Sequence, residues 1–134
     1  MDTDHPARAA SRRSASAVER GAKEEWLSLF TDDAIVEDPV GVSPLDPEGK
    51  GHAGKAAIAA FWDRNIGSNK IEFDMHHSYA AGNEVANTGT ITTALPNGMK
   101  AVVEGTFVYR VNAYGKLVSL RAFWEFENMR LIGP

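Results

Sequence analysis

The spacing of apolar residues changes character near residue 70. Upstream they cluster at helical spacing, as in GAKEEWLSLF, where Trp26, Leu27, Leu29 and Phe30 gather on one side. Glu24 and Glu25 stand in the first turn of that segment, where the helix dipole favours acids. A longer helix is expected from Ala7 to Gly21, with a thin apolar stripe among Arg12, Arg13, Glu19 and Arg20. Pro6 can begin such a helix but not continue one, and residues 1–10 read as a flexible tail ahead of a single domain at 11–134. AGKAAIAAFWDRN predicts a third helix with Ile58, Phe61 and Trp62 as its buried stripe. Asp32 and Asp33 read as a turn, Ala34–Glu37 as a short strand stopped by Pro39 and Gly41, and 42–52 as a loop.

Downstream the pattern alternates. In KIEFDMHHSYA, Ile71, Phe73 and Met75 share one face, and Glu72, Asp74 and His76 the other. EVANTGTITTAL, AVVEGTFVYRV and KLVSLRAFWEFENM are three further strands. Pro96-Asn97-Gly98 and Asn112-Ala113-Tyr114-Gly115 are the turns between them. Helices followed by a four-strand antiparallel meander make an α+β fold, with the helices on one face of the sheet. If that antiparallel sheet is strongly curved, it encloses a cone, which suits an apolar small molecule.

Composition narrows the function. With no cysteine, thiolate catalysis and Cys-ligated metal sites are ruled out. With 14 basic against 18 acidic side chains, the net charge of −4 argues against a nucleic-acid partner. AAIAAFW is too short to span a bilayer, and the N-terminus has no apolar run of the signal-peptide kind, so the default expectation is a soluble cytoplasmic protein. No His, Asp or Glu spacing resembles a metal site, and neither a metal nor a cofactor is expected.

Asp38 is the leading chemical candidate. It ends a strand, and Pro39 pushes it to an extended backbone from which its side chain can enter the cone. Apolar surroundings raise a carboxyl's pKa, which suits a general base or acid. Glu37 alternates to the opposite face, so the two are not a dyad. His77 shares parity with Phe73 and Met75 and is a candidate for proton transfer. His76 faces away. Asp74 is a second-acid candidate only if a bulge turns it inward. Glu104 is placed on the outer face unless a bulge at Gly105 reverses it. Thr88, Thr90 and Thr92 share a face that either lines the cone or is solvated. Phe61, Trp62, Phe73 and Met75 are expected as cavity wall or adjoining core.

DDAIVEDPVG, then GKAAIAAFW, then VYRVNAYGKLVSLRAFWEFEN, resemble the ketosteroid isomerase and SnoaL-like branch of the nuclear transport factor 2-like superfamily. The resemblance spans about Trp26 to Met129 and extends to polyether epoxide-opening cyclases, which carry a similar EDPVG turn. It implies a cone-shaped pocket, a homodimer through the outer sheet face, and an Asp base at Asp38. The family's oxyanion-binding Tyr falls near Ser14 and its protonated Asp on Phe107, so two of three catalytic groups are replaced. The family's Trp beside the base matches Trp124. If Phe107 points inward, so does Tyr109, whose phenol could replace the lost donors.

Three functions follow. The first is an isomerase shifting a double bond in a bulky apolar ketone. The second is a polyketide or polyether cyclase, in which positioning supplies most of the rate. The third is a non-catalytic binding or dimerisation module, since fold alone does not fix function.

Overall fold

The computed structural model describes residues 4–67 and 69–134. Three helices, α1 (Pro6–Glu19), α2 (Lys23–Ser28) and α3 (Lys55–Phe61), cover a curved sheet. A π-helical turn, Trp62–Ile66, extends α3. The strands are β1 (Phe30–Glu37), β2 (His52–Ala53), β3 (Lys70–Ala81), β4 (Glu84–Ala94), β5 (Lys100–Val111), β6 (Leu117–Phe123) and β7 (Arg130–Ile132). They lie in the order β2-β1-β6-β5-β4-β3, with β7 on β5.

The meander β3 to β6 is antiparallel as expected. The whole sheet is mixed, because β1 runs parallel to β6 and pairs Val36 with Leu120 and Glu37 with Arg121. The wholly antiparallel sheet anticipated from sequence is corrected on this point. Parallel pairing needs a long crossover between strands, and the periodicity of either strand does not reveal its partner. β1 also begins at Phe30, so Asp32 and Asp33 lie in the strand and not in a turn.

α1 begins at Pro6 and buries Ala7, Ala9 and Ala10, so residues 6–10 are not tail; residues 1–3 lie outside the described residues. His5 explains the boundary. Its Nδ1 accepts from the Ala7 amide at 3.1 Å, and its Nε2 lies 2.8 Å from the Gly82 carbonyl in the β3–β4 turn. One neutral tautomer satisfies both, capping the helix and tying it to the sheet. Small residues let α1 lie close across β3, β4 and β5. Behind it, Trp26 packs on Phe30 and Trp62 with ring centroids 4.8 and 5.2 Å away.

One irregularity decides which side chains face inward. β3 shifts register between Met75 and His77. Gly89 opposite makes room for it: a Cβ there would stand 2.2 Å from the Asp74 carbonyl oxygen. Inserting one residue reverses the parity of everything after it. Ser78 therefore faces α1, accepting from Arg8 Nε at 2.9 Å, and His77 faces outward.

Candidate active site

Between α1, α3, the loop after β1 and the concave sheet face lies a cavity of about 330 Å³. Side chains of β5 line it: Ala101, Val103, Phe107 and Tyr109. From β4 come Ile91 and Thr93, and from β3 Ile71 and Phe73. Leu45 reaches it from the loop after β1. That loop is held by the buried carboxylate of Asp46, which accepts from the amides of Gly49 and Gly51 at 3.2 and 2.8 Å.

Asp38 stands in this wall, just past the end of β1, at a cis bond to Pro39. Trp124 Nε1 donates to Asp38 Oδ1 at 2.6 Å. Trp124 follows β6, which passes close to β5 at Gly105, where a Cβ would lie 2.1 Å from the Phe123 carbonyl oxygen. Glycine there lets the strand carry Trp124 inward. Burial in apolar surroundings pushes the Asp38 carboxyl up to about 6, and the Trp124 hydrogen bond partly opposes that rise. Among the described residues, Asp38 Oδ2 has no hydrogen-bond donor.

Tyr109 faces the same cavity and is buried. Burial first, and the nearby Asp38 charge second, raise its phenol above the ordinary value, so it keeps its proton as a neutral donor. Ser14 lines the cavity beside it, opposes part of that rise, and accepts from Trp26 Nε1 at 3.0 Å. Ser14 and Phe107, the positions onto which the resemblance places the family's oxyanion donors, both reach the cavity.

Asp38, Tyr109, Trp124, Phe107, Phe61 and Phe73 all line this one cavity. The other candidates do not. His77 is exposed on the outer face and stacks on Tyr79, with centroids 6.1 Å apart, because the register shift reversed its parity. Asp74 precedes that shift and points outward, 3.4 Å from His76. Glu104 also faces outward, since β5 keeps unbroken alternation through Gly105. Trp62 belongs to the core behind the cavity, against Trp26, and Met75 packs at the edge of the core. Thr88, Thr90 and Thr92 take the face opposite Ile91 and Thr93. Glu37 pairs with Arg121 at 3.0 Å, away from Asp38.

Sequence reasoning missed Arg64, Asn65 and Asn69, which also line the cavity. Arg64 and Asn65 follow Phe61 by three and four residues, on its face of the helix, and polar side chains leave no mark in apolar periodicity. Among the described residues no three metal-ligating side chains converge, and no helix is long and apolar enough to cross a membrane.

Known proteins share this fold. A steroid Delta-isomerase of Nocardioides simplex is 31% identical over 122 residues, covering 91% of this chain and 92% of that protein. The crystal structure of a Δ5-3-ketosteroid isomerase from a Mycobacterium species superposes with a TM-score of 0.91 at 39% identity, over 96% of this chain and 99% of the other. SalBIII, an epoxide hydrolase/cyclase-like enzyme of pyran ring formation in salinomycin, shares the fold at a TM-score of 0.80 and 22% identity, over 96% and 98% of the two chains. The SnoaL-like domain model matches residues 11–120. With the match running from the first helix into β6, the chain belongs to the SnoaL-like domain family.

Proposed function

We propose that this protein is a cofactor-independent isomerase that shifts a double bond in a bulky apolar ketone, with Asp38 as the base. One observation carries the reading. A carboxyl raised to about 6 is fixed by Trp124 at the wall of an apolar cavity, with the neutral phenol of Tyr109 on the same surface. Near neutral pH such a carboxyl is ionised yet still basic enough to take a proton, the match that general-base catalysis needs. Asp38 Oδ2 removes a proton from the carbon beside the carbonyl. The electron pair moves onto oxygen, giving an enolate that Tyr109 steadies by donating a hydrogen bond. The carboxylic acid then returns the proton two carbons further along, and the enolate collapses to the conjugated ketone. Atoms and charge balance without any other reactant.

The named isomerases at 31% and 39% identity support this substrate class. Ser14 and Phe107 in place of the family's donors favour a second reading, ring closure of a polyketide-derived chain, which leans less on oxyanion binding. Isomerisation of a Δ5-3-ketosteroid by wild type and Asp38→Asn separates the two. A loss of at least about 10²-fold on substitution supports the isomerase. Equal inactivity of both proteins toward the steroid, with turnover of a hydroxy-epoxide polyketide by wild type, favours the cyclase. Equal inactivity toward every such substrate leaves a binding module. The outer sheet face, with Val108, Phe123 and the threonines of β4, is our candidate surface for a homodimer.

A further inference from the structure

The cavity carries a second charge that the proton chemistry does not use. Asp38 and Arg64 are the two charged side chains on its wall. The π turn presents Arg64 together with its neighbours: Phe61, Arg64, Asn65 and Ile66 all reach the cavity. In an unbroken α-helix, a residue five positions after Phe61 would be turned about 140° away from it. π turns of this kind recur at functional sites.

Arg64 has no carboxylate partner among the described residues. The adjacent Asp63 is taken by Lys23 at 3.0 Å. The side-chain amide of Asn69 also has no partner among the described residues, while Asn65 donates to the Phe61 carbonyl at 3.2 Å. Arg64 is exposed and still reaches the cavity, so it stands where the space opens to solvent. Asn69 immediately precedes β3, and Thr93, near the end of β4, pairs with Ala101. Ala101 and Tyr109 both line the cavity on β5, about 26 Å apart along an extended strand and somewhat less across a curved one. Leu131, paired with Ala101 and 61% exposed, marks the Ala101 end as the mouth. Asp38 lies deeper in the wall than Arg64, which is exposed. The two charges therefore serve different parts of one guest molecule.

We propose that the mouth is a carboxylate subsite, in which Arg64, assisted by the amides of Asn65 and Asn69, holds an acidic group at the substrate end remote from the reacting carbonyl. The inference rests on the Asp38 reading and narrows its substrate class to apolar ketones bearing an acidic tail. A chain of net charge −4 repels anions at long range, so the guanidinium supplies the local attraction. Its planar fork suits a carboxylate better than a lysine would.

The test compares 3-oxo-androst-4-ene-17β-carboxylic acid with its methyl ester, which share a ring system and differ in the tail charge. Binding is read by calorimetry at low salt on wild type, Arg64→Gln and Arg64→Lys. Wild type is expected to hold the acid about five- to tenfold tighter than the ester, a preference that shrinks with salt. Arg64→Gln should erase the preference while leaving ester affinity in place, and Arg64→Lys should keep part of it. Equal binding of acid and ester by wild type, or a preference that survives Arg64→Gln, overturns the tail subsite and leaves the isomerase reading standing. Failure of wild type to bind either compound overturns both.

Discussion

At the residue scale the chemistry turns on how Asp38 titrates. Its folded carboxyl is raised to about 6, above an unfolded value of about 3.9. The charged form is therefore disfavoured by folding. The stabilising effect of the protonated acid is complete below about pH 3.9 and is lost as pH rises through about 6. Asp38→Asn keeps an oxygen for Trp124 and carries no charge. It should match wild type in stability near pH 4 and exceed it by about 1–3 kcal/mol at pH 8, measured by thermal or urea unfolding at both pH values. The proposed isomerase needs the ionised form, so its kcat/KM should climb with pH to a plateau above about 6. Trp124→Phe removes the one hydrogen bond that lowers the Asp38 pKa, and the rising limb should move to higher pH. A limb that stays in place in Trp124→Phe would show that the indole acts only as wall.

At the scale of elements, two glycines set the geometry of the site. Gly105 lies so close to the Phe123 backbone that even a methyl group forces β5 and β6 apart. Gly105→Ala should cost at least about 2 kcal/mol of stability and loosen the Trp124–Asp38 bond. Urea unfolding and tryptophan emission check both effects; an unchanged midpoint with unchanged emission would contradict this placement. Gly89 plays the same part for the register shift in β3, where it makes room against the backbone of Asp74 and Met75. These two sites also show how far the sequence could be read. Alternation in β5 is unbroken, so Phe107 and Tyr109 face inward as their spacing says and Glu104 outward. Alternation in β3 is interrupted, so parity places Phe73 correctly and His77 on the wrong face. A bulge depends on the partner strand as much as on its own, and the glycine that admits this one lies on β4, beyond the reach of any periodicity within β3. Pairings made at a distance were hidden for the same reason: β1 with β6, and β7 with β5. Arg64 follows Phe61 at ordinary helical spacing and was missed because a charged side chain leaves no mark in an apolar stripe.

At the scale of the whole molecule, the helices and the concave sheet face enclose the cavity, and the convex face stays open to a partner. Phe123 is 43% exposed there, with the Arg121 guanidinium 5.2 Å above its ring. A homodimer through this face should sediment as such at micromolar concentration, and Phe123→Glu should shift it toward monomer. A wild-type chain that sediments as a monomer would remove the dimer and leave the cavity chemistry untouched.

The proposed proton transfer by Asp38 on a ketone held in the cavity is the step on which the rest depends. Solvent deuterium exchange at the carbon beside the carbonyl of a bound 3-ketosteroid, followed by NMR, reads that step without requiring the natural substrate. Wild type should catalyse exchange at a rate that rises through about pH 6 and levels above it, and Asp38→Asn should be slower by at least about 10²-fold. Equal exchange by the two proteins would contradict a role for Asp38 as the base.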